Sequence, residues 1–163
     1  MEVGVGKFAP DFSLTSQFGE VVSLHDYRGK KNVVLYFYAK DFTRACTAEA
    51  HSFRENYAAF ASTNTEVIGI SPDTDESHKT FSNNCGLPFS ILSDADSSVR
   101  MRYGVNSPLR ALSSRFTGRT SFVIDTSGII RLIYSSQLQP TKHVSEALRA
   151  LTDGSLGPIQ EKG

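Results

Sequence analysis

The sequence carries no net charge, with 17 Lys and Arg against 17 Asp and Glu, so no global field draws it to nucleic acid or to an anionic membrane. It also lacks a long apolar stretch. The longest uninterrupted run, 33–38, is far short of the ~20 residues a membrane helix needs. Cysteine is scarce: Cys46 and Cys85 are the only two, too few for a secreted disulfide scaffold. There is no Cys-x-x-Cys, and the four histidines (His25, His51, His78, His143) lie far apart, so ligand count argues against zinc. No glycine pattern suited to phosphate is present. The first ten residues lack the basic start and apolar centre of a secretory signal, which makes a cytoplasmic protein, or a mature organelle (plastid) chain, the expectation.

What remains is an ordinary globular composition, 39% hydrophobic and 21% charged over 163 residues. That length suits one domain, over 1–152, with a polar tail at 153–163. Periodicity and punctuation divide it. Short extended segments lie within 12–23 around a turn at Gln17, Phe18 and Gly19. The β-prone run 32–38 reads as a strand buried on both faces. A helix follows over 44–61, a second buried strand over 66–71, and a helix over 75–85 that stops before Gly86. A short helix is expected over 97–103. Strands at 121–125 and 129–134 flank Thr126, Ser127 and Gly128, a hairpin spacing. An amphipathic helix over 141–151 presents Val144, Leu148 and Leu151 on one face. The order predicts an α/β fold with a mixed central sheet flanked by helices. In such sheets ligands gather beyond the carboxyl ends of the strands, which points to the loop 39–45.

Thr43 suits the cap of the helix that begins there, and Cys46 then falls in its first turn. Unpaired amides and the partial positive charge of a helix N-terminus favour a thiolate over a thiol. On spacing alone an inert buried cysteine is an equal reading.

The segment YFYAKDFTRACTAEA resembles the active-site loop of peroxiredoxins, most closely the bacterioferritin-comigratory or Q-type group. Tyr36, Phe37, Tyr38, Lys40, Asp41, Thr43, Cys46, Thr47, Glu49 and Ala50 meet that group's pattern. The stretches GKFAPDFSL, LPFSILSD and GRTSFVIDTSGII match three more of its segments in the same order. The resemblance implies a thioredoxin-like fold and a peroxidase. It makes Cys46 the peroxidatic cysteine, Thr43 the residue that orients the peroxide, Arg119 the cation that stabilises the thiolate, and Glu49 a polar partner of that arginine. The sulfur would carry the chemistry with no metal, haem or flavin. Hydrogen peroxide or small organic hydroperoxides would be the substrate, thioredoxin or a similar dithiol the reductant, and a monomer the expected state.

Three residues depart from the pattern: Ala39 stands where the group has proline, and Arg44 and Ala45 where it has Pro-Gly. Proline fixes φ, so its loss loosens the loop, and Arg44 is expected to face solvent. The alternative function is a non-enzymatic peroxide sensor or thiol-based binding protein. A disulfide oxidoreductase is disfavoured by the missing Cys-x-x-Cys. A sulfenic acid at Cys46 condenses readily with a second thiol. Many Q-type members supply that thiol five residues on, where this chain has His51. Cys85 is the remaining candidate, and the resemblance extends to members with a resolving cysteine on that helix. It shares a face with His78 and Phe81, so a core-filling role stands beside the resolving one.

Overall fold

The computed structural model describes residues 3–106 and 116–152; the expected tail at 153–163 lies outside the described residues. Strands β1 (Ser13–Thr15) and β2 (Val21–Ser23) form a small antiparallel pair. Then come β3 (Asn32–Phe37), α1 (Arg44–Glu55), α2 (Tyr57–Ser62), β4 (Thr65–Ser71), α3 (Asp75–Cys85), β5 (Ser90–Ser93) and α4 (Ser98–Arg102). A hairpin of β6 (Thr120–Ile124) and β7 (Ile130–Ser135) and the helix α5 (Lys142–Thr152) close the order. The main sheet runs β5-β4-β3-β6-β7, with β3, β4 and β5 parallel and the hairpin antiparallel to β3. This is the mixed sheet flanked by helices that the sequence predicts.

Strand alternation divides the interior in two. Val33, Leu35 and Phe37 face a layer that includes Phe12, Val22, Val99 and Tyr103. Val34, Tyr36 and Tyr38 face Phe53 of α1, Phe60 of α2, Phe81 of α3 and Val144 and Ala147 of α5. Both cysteines lie in this second layer, on different helices.

Two expectations change. The helix expected over 44–61 is broken at Asn56, whose side-chain amide donates to the Ser52 carbonyl at 2.8 Å. The Asn56 N–H donates to the same carbonyl at 3.2 Å, so side chain and main chain together close α1 there, and the Asn56 carbonyl restarts the chain by accepting from Phe60 N–H. The strand β5 adds an element that periodicity did not mark. Its outer edge is covered by Gln17, whose amide accepts from Ile91 N–H and donates to the Phe89 carbonyl, both at 2.8 Å. With the isolated antiparallel bridge of Ser16 to Leu92, this side chain covers the edge in place of a sixth strand. Among the described residues no helix is long and apolar enough to cross a membrane.

Tyr36 stacks on Phe53, ring centroids 4.4 Å apart, and its hydroxyl presses against Gly69 in the next strand. A Cβ at position 69 would stand 2.8 Å from the Tyr36 ring and 3.0 Å from Ile91. Neither side chain can swing away, because both are buried. Gly69→Ala should therefore cost about 1–3 kcal/mol, read as a lower urea midpoint with an unchanged slope. Tyr36→Phe should be neutral or stabilising, since the buried hydroxyl has no hydrogen-bond partner.

Candidate active site

The site forms where β3 ends. Tyr38 N–H still donates to the Ile70 carbonyl of β4, and Asp41 N–H then donates to the Asp73 carboxylate at 2.8 Å, so the loops after β3 and β4 are tied together. The Asp41 carboxylate accepts from Tyr38 Oη at 2.6 Å and from Ser77 Oγ at 2.8 Å, and lies 2.7 Å from His78 Nδ1. His78 Nε2 donates to the Leu92 carbonyl, and Ser71 Oγ donates to Asp73. Asp41, Asp73 and His78 are near enough to hold a cation, yet their facing atoms are already engaged in this network.

Between Asp41 and the helix, Phe42 adopts φ +67°, a left-handed conformation uncommon for a bulky residue. Its exposed ring packs edge-on against Phe81 at 5.2 Å. The reversal there delivers Thr43 to the cap of α1, as the sequence predicts. Thr43 Oγ1 accepts from Cys46 N–H at 3.3 Å and donates to the Lys40 carbonyl. Arg44, the next residue, faces solvent.

Cys46 is buried, and its sulfur meets a cation delivered by the neighbouring strand on the same face of the sheet. Arg119, just before β6, donates from Nη2 to Cys46 Sγ at 3.1 Å and from Nη1 to Glu49 Oε1 at 2.8 Å. Glu49 sits one turn along α1 from Cys46, so a single guanidinium spans two residues on the same helix face. The planar fork of arginine suits this double duty, and it never loses its charge. The facing charges of Glu49 and Cys46 hold Arg119 above its ordinary value despite its burial. Burial also pushes the Glu49 carboxyl up to about 8, against the pull of Arg119, because only one of its two oxygens is hydrogen-bonded.

Behind Glu49 stands His143 of α5, with Nδ1 at 3.8 Å from Glu49 Oε2. It donates from Nε2 to the Ser136 carbonyl and accepts from Ser121 Oγ at 2.8 Å. Burial pushes its imidazole down to about 4, although the bond to Ser136 pulls the other way, so it is neutral here.

Cys85 does not join this constellation. It ends α3 ahead of Gly86, which takes the left-handed cap conformation at φ +63°. Its carbonyl accepts from Arg54 Nη1 of α1 at 2.6 Å, and burial pushes its thiol up. The sequence thus places Thr43, Cys46, Glu49 and Arg119 in one site and leaves Cys85 nearby on a neighbouring helix. It gave no sign of His143, nor of the buried Arg100, whose side chain donates to the carbonyls of Tyr38, Asn106 and Gly118. These partners lie far along the chain, and a lone His or Arg in a helix looks like any other. The match of the hairpin segment was the signal that found Arg119.

A cysteine in the first turn of the helix after the central strand, set against a buried arginine on a sheet of this order, fits a thioredoxin-fold protein. The AhpC/TSA family profile matches residues 5–133. Among curated relatives, the chloroplastic peroxiredoxin Q of Sedum lineare is 43% identical over 150 residues, covering 92% of this chain and 78% of the relative. That of Arabidopsis thaliana is 45% identical over 150 residues, covering 92% and 68%. Peroxidoxin BcpB from Mycobacterium tuberculosis superposes with a TM-score of 0.84 at 31% identity, covering 93% of this chain and 98% of that one. The chain belongs to the AhpC/TSA family and is a peroxiredoxin, a thiol-dependent peroxidase.

Glu49 and His143 give stability a testable pH dependence. The Glu49 contribution is complete below its ordinary 4.5 and is lost as pH rises through about 8. The His143 contribution is complete above its ordinary 6.5 and is lost as pH falls through about 4. From 4.5 to 6.5 the two slopes oppose. Urea midpoints across this range should show Glu49→Gln losing stability on acidification below 6.5, and His143→Gln losing it on alkalinisation from 4.5 upward. Identical slopes in both variants and the parent would contradict the assignment.

Proposed function

We propose that Cys46 is the peroxidatic cysteine and that Thr43, Arg119 and Glu49 complete the site. The observation that carries this reading is the 3.1 Å contact from Arg119 to the Cys46 sulfur at a capped helix N-terminus. A guanidinium donating to sulfur stabilises its anionic form. The thiolate attacks one peroxide oxygen, an S–O bond forms, and the O–O pair leaves with the other oxygen, which takes a proton to become water or an alcohol. Cys46 is left as a sulfenic acid. Arg119 and the amides of the first turn face the charge that grows on the leaving oxygen. Thr43 Oγ1 releases the Lys40 carbonyl to donate to the incoming peroxide. Glu49 holds the guanidinium in plane.

In the second half-reaction the Cys85 thiol displaces hydroxide from the sulfenic acid, giving water and a Cys46–Cys85 disulfide. A thioredoxin-type dithiol then reduces it. Cα atoms within about 7 Å are needed for that bond; the two cysteines sit on separate helices, and the scheme has the end of α3 leave its place to bring them together. Its departure breaks the Arg54 bond to the Cys85 carbonyl and the Gly86 cap, features of a helix end, where local opening is cheapest. Relatives named as chloroplastic favour a plastid setting, and the Q-type resemblance favours a monomer that cycles within one chain.

Peroxide turnover with thioredoxin, its reductase and NADPH tests the scheme. Cys46→Ser should abolish turnover. Cys85→Ser should consume a single equivalent of peroxide and stop, whereas the parent oxidised by one equivalent should lose two hydrogens in intact mass and lose helix content. Normal cycling by Cys85→Ser would make the enzyme one-cysteine and Cys85 a packing residue.

A further inference from the structure

Arg100 is fully buried, yet among the described residues no carboxylate pairs with its guanidinium. Its side-chain bonds to the described residues go to main-chain carbonyls: Nε to Asn106 at 2.7 Å, Nη1 to Tyr38 at 2.7 Å, and Nη2 to Gly118. Tyr38 is the first residue after β3, where the loop that leads to Cys46 begins. Gly118 immediately precedes Arg119. The β3–β6 ladder ends at Phe37 and Thr120, so beyond this pair no backbone bond holds the two strands together. The Arg100 fork continues the cross-link past the end of the sheet, on the two segments that deliver the sulfur and its cation. Ala39, next to Tyr38, has no ring to fix its own φ, so the carbonyl clamp adds to the Tyr38 and Asp41 bonds in restraining the loop's first step. Arg100 is itself placed by Asp94, whose carboxylate accepts the N–H groups of Val99 and Arg100 at the start of α4.

We propose that Arg100 is a positioning residue for peroxide reduction, clamping the Tyr38 and Gly118 carbonyls so that Arg119 and Cys46 stay in contact. Burying a cation is costly, and an apolar side chain would fill the same space at less cost if packing were its whole purpose. Its field is part of the device. The charged groups facing it are Asp94 from the loop before α4, Asp73 from the loop after β4, Cys46 from α1 and Arg119 beside β6.

The inference rests on Cys46 as the attacking thiol, which Cys46→Ser tests separately by abolishing the fast reaction altogether. Two variants test Arg100 itself, with Cys46 alkylation by iodoacetamide followed against pH and single-turnover reaction with hydrogen peroxide at pH 7. Arg100→Met removes charge and clamp. It should displace the alkylation profile to higher pH and slow the peroxide reaction about 10- to 100-fold. Arg100→Lys keeps a cation but cannot reach three carbonyls. Its alkylation profile should stay near the parent's while its peroxide reaction slows about tenfold. Should Arg100→Met fail to fold, Arg100→Lys decides alone. A parental peroxide rate in Arg100→Lys overturns the proposal, as does an Arg100→Met protein that is less stable but has the parental alkylation profile and rate.

Discussion

The contact between Arg119 and Cys46 is the constraint around which the rest of the molecule is arranged. A guanidinium buried to this degree needs compensation on every side, and among the described residues it finds two acceptors, a sulfur and one carboxylate oxygen. Both are on α1, one turn apart, so the position of that helix on the sheet and the position of β6 beside β3 determine each other. Glu49 occupies the side away from the sulfur, and the neutral His143 behind it adds no competing charge. The site is thus a short line of groups across the second interior layer, from α5 through Glu49 and Arg119 to the thiol.

A second set of bonds fixes where that line begins. The loop after β3 is held through Asp41 to the loop after β4 and to the first turn of α3, and through the Tyr38 carbonyl to α4. The backbone reversal at Phe42 is sustained by these ties and by the ring's contact with Phe81 on α3. The helix that carries Cys85 therefore also supports the loop that presents Cys46. Motion at the end of α3 and the integrity of the loop are coupled through opposite ends of one eleven-residue helix.

Much of this was legible in the sequence, for local reasons. Strands β3 and β4 are continuous apolar runs, α3 ends at a glycine, and Thr43 stands where a cap is needed, so each could be read from its neighbours. The helix read over 44–61 failed at Asn56 because side-chain and main-chain bonds to Ser52 together close it within a pattern that continues in register. The strand β5 was missed because four residues give no period, and its edge is satisfied by Gln17, more than seventy positions earlier. Site residues with a local motif, Thr43, Cys46 and Glu49, were found from it. Arg119 needed the resemblance of a distant segment. Arg100, His143 and His78 act only through contacts across the fold, and nothing in their surroundings along the chain marks them; Asp41 belongs to the loop pattern, but its bond to His78 shows only in the structure.

The molecule has no tryptophan, so its ultraviolet emission comes from tyrosine alone. Tyr38 is one of these tyrosines, and its hydroxyl donates to the Asp41 carboxylate at 2.6 Å inside the loop that presents the thiol. A carboxylate that accepts a phenol's proton bond quenches the phenol's fluorescence. The protein thus carries a built-in optical reporter: light held dark while the loop is closed, and released when Asp41 lets go.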